Sequence, residues 1–499
     1  MNLDYSSILK TDRTRRNLEE GQSLLTESEC DRSKVLFSPA FRRLQQQSQV
    51  FPLNGSITAR SKLSHALEVA QVGRNIAQHV AAHLEQENLA SAALCAALIN
   101  FTETACLTRD IGSPPFGCTG EAAIQRWFAD NGPANVRTAC KTPSGRELNA
   151  SDPRVRNALA DFYEFDRNPQ GLRILAKLQW GNDPRDLNLT KTSIASYIQY
   201  LRMTGEKTSD STENLLDKPG FFSTEAGLVK NIWSSFAIDT NPQRFPLSYL
   251  VATADDIVTC ISDLEEAIDG GMLRPGVAIN VIKEEWLSTY IPLDPDPADE
   301  QILELLSHAS VGKNNAGDDF SFADLRRGLI ASLSQFAAAQ YVREHQAVFS
   351  GTLDSLFPSQ SGAGILVAIL KNYCQTHVYQ HPAVQHDELI GYTIVHGLLD
   401  QFGILLACPQ EQFQLALDYS SAQNPAARSV AIESKLLALM PTQYRNAYST
   451  LIAQLGHAHG RDEEFEEWNT RAHLVVDYIA GLTESAASAI FRTLSGIHA

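Results

Sequence analysis

The tightest constraint on this chain is one short stretch, Arg109 to Glu121, which reads R-D-I-G-S-P-P-F-G-C-T-G-E. A mostly apolar run, Ser91 to Leu107, has the character of a helix and delivers the chain to the polar Arg109-Asp110 pair. The three glycines and two prolines that follow cannot prolong that helix, so the chain must turn sharply before a new helix starts near Glu121. A charged pair at the foot of an apolar helix is costly to bury unless partners are brought to it. The partners available to Arg109 and Asp110 therefore decide much of what the chain can do.

Helical signals dominate elsewhere. From Arg60 onward, Leu63, Leu67, Ala70, Val72 and Ile76 keep a helical period, with His65 and Glu68 one turn apart. Weaker helices are expected at 153–163, 170–178 and 190–202, and a strongly periodic one at 246–267, where Asp255 and Asp256 lie two turns before Asp263. Long helices are expected near 321–343, 363–379, 382–405, 429–440, 442–457 and 464–494. Residues 1–34 are charged and irregular and read as an arm or docking segment; 38–52 reads as a short helix running into an extended piece, with a turn at Leu53 to Ser56. Surface loops are expected at 131–151 and 311–318, a polar segment from Thr204 to Asp217 before the K-P-G-F-F turn (218–222), and an acidic linker at 292–300. Strand signals are few, so the expected class is all-α, with a core running through the chain.

Composition closes off several functions. No apolar run approaches the roughly 18 residues of a membrane span, and the N-terminus lacks the apolar region of a signal peptide, so a cytoplasmic protein without membrane contact is expected. The eight cysteines, at 30, 95, 106, 118, 140, 260, 374 and 408, form no C-x-x-C pair and read as thiols rather than zinc ligands. A net charge of -17 argues against a chain-wide polyanion-binding surface, so any nucleic-acid contact must be local.

Five ordered blocks, S-P-A-F-R-R-L-Q-Q, L-S-H-A-L-E-V-A-Q-V-G-R, D-I-G-S-P-P-F-G, K-P-G-F-F and A-D-D-I, with weaker agreement around 371–392, give a resemblance to a known family. The chain resembles the deoxyguanosine triphosphate triphosphohydrolases of the HD-domain phosphohydrolase superfamily. The resemblance implies an all-α HD-domain core (60–269) behind an N-terminal arm and nucleotide-pocket segment (1–59), with a C-terminal helical region (270–499) packed on it. It also implies a homo-oligomer, often a hexamer, that cleaves a deoxynucleoside triphosphate such as dGTP to release tripolyphosphate and has occasional affinity for single-stranded DNA. A divalent metal, Mg or Mn, would be held by a His on one helix, a His-Asp doublet on the next and a later Asp, and would activate a water. Carried over, the metal ligands would be His65, the residue at 109, Asp110 and Asp255. Glu121 would be catalytic, and Gln45, Lys218, Tyr200 and Asp263 would contact the nucleotide.

The chain departs from that pattern at telling places. Position 109 is Arg where the doublet His is implied, and Cys118 stands where a catalytic His would pair with Glu121. No histidine lies between 84 and 307 to replace either. A unit charge about 4 Å from a dication, at an effective dielectric near 20, costs about 8 kcal/mol before relaxation. An H-F-E-G-N-x-Q-G-like block reads E-F-D-R-N-P-Q-G, with Glu164 in the His position while Asn168, Gln170 and Gly171 are kept; Gln199 stands for a Lys and Thr259 for a Tyr.

The expectation is a nucleotide-sensing or regulatory homologue that keeps a deoxynucleotide pocket around an impaired, weakly loaded or empty metal site. It would act as a homo-oligomer or beside an active paralogue. Arg109 would bridge Asp110 and Asp255 in the metal's place. The alternatives are an active hydrolase with a modified metal site, and a structural or single-strand-associated oligomer. Blander roles are expected for Cys118 (a tolerated small residue), Arg42-Arg43 (structural ion pairing, against phosphate binding), Glu265 and Glu266 (helix surface), His377 and His381 (packing or surface) and the aromatics of K-P-G-F-F (core).

Overall fold

The computed structural model describes residues 4–14, 22–50, 60–140, 152–178, 187–206, 218–236, 243–290, 296–311, 321–418, 429–455 and 463–497. Among them the chain is helical almost throughout. The first half carries α1 (Leu24–Phe37), α2 (Pro39–Arg43), α3 (Lys62–Gln86), α4 (Ala92–Leu107), α5 (Gly117–Ala139), α6 (Pro153–Tyr163), α7 (Arg167–Arg173), α8 (Lys191–Tyr197), α9 (Ala226–Ser235) and α10 (Pro246–Asp269). Next come α11 (Pro275–Thr289), α12 (Pro297–Val311), α13 (Phe322–Arg343), α14 (His345–Phe349), α15 (Gly362–His377) and α16 (Pro382–Phe402). The last are α17 (Ile404–Ala407), α18 (Gln410–Leu417), α19 (Ala431–Leu439), α20 (Thr442–Leu455), α21 (Glu463–Ala480) and α22 (Glu484–Leu494). Two short strands, β1 (Arg202–Met203) and β2 (Pro219–Phe221), pair in parallel. The all-α expectation holds.

The site is built where α3, α4 and α10 converge. A capping box between Ser61 and Ser64 starts α3, and Ala66, Val69, Ala70, Ile76, Ala77, Val80 and Leu84 bury one stripe of it. Gly73 sits in that stripe. A Cβ there would lie 2.4 Å from Cys106 Sγ on α4 and 3.5 Å from Ala254 Cβ on α10, so its absence lets the three helices close up. His65, Arg109 and Asp255 stand two turns, three residues and one residue away from these three contacts. Two hydrophobic clusters flank the convergence. One gathers α1, α3, α4, α8 to α10 and the helices to α15, and the other gathers α5, α6 and α16 to α22 around Trp468, Phe128 and Phe162.

Several segments differ from expectation. Of the two forms expected for the N-terminal segment, residues 5–13 take the docked one: Tyr5, Ile8 and Leu9 are buried, and Arg13 pairs with Glu27 and with Asp31 (2.7 Å), carboxylates one turn apart on α1. The charge that reads as solvated is thus neutralised internally. The loop expected from 131 is helical to Ala139, because Phe128, Gly132, Val136 and Ala139 keep a buried face through Pro133. Asp299 and Glu300, expected in a linker, lie in the first turn of α12, where acidic side chains favour the helix dipole. The single helix expected over 464–494 is two, α21 and α22, bent by 112°. Glu265 and Glu266 are buried rather than surface residues, with Glu265 paired to Arg60 and Arg326. The expected turn at 53–56, the loops at 141–151 and 312–318, and residues 207–217 and 292–295 lie outside the described residues. Among the described residues no single helix is long and apolar enough to cross a membrane.

Candidate active site

Thr108 caps α4, its hydroxyl donating to the Ala105 carbonyl, and the chain leaves through Arg109 and Asp110 into the D-I-G-S-P-P-F-G turn. At the far end Phe116 adopts a left-handed backbone (φ 62°) before α5 begins, packed against Gly391 of α16. Midway, a Cβ at Gly112 would meet the Arg167 carbonyl oxygen at 2.0 Å and the Gly171 nitrogen at 2.3 Å. The turn and the start of α7 touch backbone to backbone, which sets Arg167 and Asn168 over Arg109 and Asp110.

The expected ligand set comes together, but around a guanidinium. His65 Nε2 lies 3.6 Å from Asp255 Oδ1 and 4.0 Å from Asp110 Oδ2. Arg109 is buried, its Nε donating to Asp255 Oδ2 (3.0 Å) and a terminal nitrogen donating to Asn168 Oδ1 (2.5 Å). The expected bridge to both aspartates is therefore half formed: Asp110 takes its own cation, Arg167, at 3.5 Å. The reason is the close contact at Gly112, which brings a second arginine nearer to Asp110.

These charges set each other's ionisation. Burial opposes a charge on Asp255, but Arg109, His65 and Arg167 outweigh it and hold the carboxyl well below the usual range. Burial likewise opposes Asp110, and Lys62, Arg167 and His65 overcome it. His65 is penalised by burial yet raised by the hydrogen-bonding reach of Asp255 and the charges of Asp110 and Asp255.

The remaining predicted residues divide. Glu121 is buried and accepts the Arg167 backbone N–H (3.1 Å), and burial followed by Asp166 pushes its pKa up. Its supposed partner position, Cys118, is exposed. Asp263 is buried at the other end of the helix, accepts the Tyr379 hydroxyl, and is pushed up by burial. Lys218 is half exposed and lies 3.9 Å from Asp166. Tyr200 is partly buried, close enough to raise the pKa of Arg109. Gln45 is exposed, while Gln47 is buried with its amide donating to the Ser113 carbonyl (3.1 Å). Glu164 accepts from Arg202 (2.8 Å) and from the Gly205 N–H (2.8 Å).

Of the blander expectations, those for the K-P-G-F-F aromatics, His377 and His381 agree with the structure. Phe221 and Phe222 are core, His377 lies against Tyr373, and His381 caps α16. Arg43 is structural, but through carbonyls rather than ion pairs. Arg167, Lys62 and Tyr379 were not singled out from the sequence. The signal for Arg167 was its place in E-F-D-R-N-P-Q-G, a cation in a block otherwise matched at Asn168 and Gln170.

A divalent ion does not fit this donor set as it stands. One lone-pair face of Asp255 is taken by Arg109 and one of Asp110 by Arg167, so an ion between them would meet two guanidinium groups. Among the described residues no three His, Cys, Asp or Glu side chains are grouped to hold a metal.

No family model matches the chain. Curated proteins do, along nearly its whole length. It is 32% identical over 497 residues to the deoxyguanosinetriphosphate triphosphohydrolase of Serratia proteamaculans, covering 95% of each chain. The protein of that name in Yersinia enterocolitica is 33% identical over 488 residues (93% of each), and that of Cronobacter sakazakii 32% over 507 aligned positions (97% of each). This chain belongs to the deoxyguanosinetriphosphate triphosphohydrolase family. Membership gives the convergence of α3, α4 and α10 its significance, because the family resemblance implies the ligand helices there. In this chain Arg109 is seated between His65, Asn168 and Asp255 at that convergence.

Proposed function

We propose that this protein works on dGTP or a closely related deoxynucleoside triphosphate, at the cluster formed by His65, Arg109, Asp110, Arg167 and Asp255. The near full-length likeness to relatives named for that nucleotide supports the substrate class. On the chemistry, the comparisons and the geometry pull apart. The relatives' names support hydrolysis of dGTP, for which the family resemblance implies deoxyguanosine and tripolyphosphate as products, and nothing in them supports a loss of activity.

The second reading, nucleotide binding with little or no hydrolysis, is favoured by one specific observation: the Arg109 guanidinium stands 3.0 Å from Asp255, where a metal would need that carboxylate. In that reading Arg109, Lys62 and Arg167 attract the triphosphate, and Asp263 and Tyr200 face the sugar side. Glu121, whose pKa burial pushes up, holds the Arg167 backbone N–H beside the cluster. The decisive experiment incubates the full chain with dGTP and manganese and measures tripolyphosphate, with Asp110→Ala as the control. Release abolished by that change establishes the hydrolase. No release, together with a thermal shift by dGTP in EDTA, establishes metal-free binding.

A further inference from the structure

The two aspartates of the cluster each have their own arginine, on different elements. Arg109, at the end of α4, takes Asp255 at 3.0 Å, and Arg167, at the start of α7, takes Asp110 at 3.5 Å. Two carboxylates and two guanidinium groups cancel. Both pairs lie in a pocket that is largely closed: the side chains of Arg109 and Asp110 are 8% and 6% exposed, and those of Arg167 and Asp255 are 28% and 20% exposed. Screening by water is correspondingly weak.

We infer that Arg167 is the second half of a two-arginine replacement for a divalent ion. Arg109 and Arg167 together supply the two positive charges that Asp110 and Asp255 would otherwise draw from a metal, so restoring a neutral ligand at 109 alone does not restore metal binding. The inference rests on the reading that Arg109 holds the metal's place. It goes beyond that reading in assigning a role to a residue on another element, held there by the backbone contact at Gly112.

Three features support it. Arg167 is fixed from its own backbone, because its N–H donates to Glu121 Oε1 (3.1 Å). Asp110 has Ser113 Oγ (3.5 Å) and Arg167 (3.5 Å) as its side-chain hydrogen-bonding partners among the described residues, both on Oδ1, so removing the guanidinium takes away the one arginine paired to that carboxylate. Lys62 is buried, adds a third positive charge felt by Asp110 and Glu121, and makes no side-chain hydrogen bond or ion pair among the described residues. That charge, beside the two arginines already paired to Asp110 and Asp255, opposes the approach of a metal cation.

The test titrates Mn²⁺ into full-length protein by calorimetry. Four forms are compared: wild type, Arg109→His, Arg109→His with Arg167→Gln, and Arg109→His with Arg167→Lys. Near-ultraviolet circular dichroism checks the fold of each. The Gln double variant is expected to take up one Mn²⁺ per chain at least about 100-fold tighter than Arg109→His alone, and the Lys double variant is expected to match the single one.

The inference is overturned if Arg109→His alone binds Mn²⁺ as tightly as the Gln double variant, if Lys and Gln at 167 behave alike, or if the Gln double variant takes up no metal. The first of these leaves the Arg109 reading intact. Stoichiometric, tight Mn²⁺ binding by wild type instead removes the Arg109 reading itself. If His at 109 does not fold, Asn there with the same pair of changes at 167 makes the same comparison.

Discussion

Glu484 is the residue whose titration is easiest to read. It is buried at the start of α22, accepts both the Ser48 N–H (3.1 Å) and hydroxyl (3.0 Å), and burial pushes its pKa from 4.5 up to about 7. Between those values the folded chain binds more protons than the unfolded one, so this group's stabilisation is present at low pH and falls as pH rises toward 7. Comparing wild type with Glu484→Gln, the difference in unfolding free energy should change by about 3 kcal/mol between pH 4 and pH 8; parallel urea profiles at both pH values would refute this. Arg43 offers a second test. Its guanidinium donates to the carbonyls of Ile111 (2.9 Å), Ser113 (3.1 Å), Ala480 (3.0 Å) and Leu482 (3.4 Å), and burial draws its pKa down to about 10. A lysine keeps the charge but cannot span four acceptors, so Arg43→Lys should cost about 2 kcal/mol in urea unfolding although the substitution looks conservative.

Among the elements, the contact between the D-I-G-S turn and α7 governs the site. Gly112→Ala drives a Cβ into the Arg167 carbonyl and should destabilise by about 1–3 kcal/mol. It should also weaken dGTP binding, measured by thermal shift, because Asn168 moves off Arg109. Trp468, fully buried edge-on to Phe128 and Phe162 with its indole N–H on the Leu406 carbonyl (2.8 Å), anchors α21. Trp468→Ala should cost about 3–5 kcal/mol by thermal or urea unfolding. The helices were legible because caps such as Ser61 and Ser91 and buried faces at helical spacing are local signals. Their ends and breaks were less so: Pro133 reads as a stop, and only the packing of Val136 and Ala139 carries α5 past it. In the site, His65, Asp110, Glu121 and Asp255 were legible from motif order. Arg109 was legible as a misfit, but its choice of Asn168, 59 residues along the chain, over Asp110 was not, because that depends on the backbone contact between the turn at Gly112 and α7.

At the scale of the molecule, the first half of the chain and α21 are joined by buried charge. Arg173 of α7 grips Asp477 of α21 through Nε (3.0 Å) and a terminal nitrogen (2.9 Å), both side chains 2% exposed, while Gln170 donates to the same carboxylate (3.0 Å). Asp477→Asn should cost about 3–5 kcal/mol, since it leaves a buried arginine short of its counter-charge; a loss below 1 kcal/mol in urea would show that Glu225, at 3.3 Å, suffices. A chain ending at Leu455 loses Trp468 and Asp477 together and should show no cooperative thermal transition. The partners in this pair stand 304 residues apart. A ribosome making this chain exposes Arg173 long before it makes Asp477, so the nascent first half has Glu225 but lacks the second carboxylate that Arg173 grips until α21 emerges. Closure of the core around Arg173 is thereby tied to the synthesis of α21.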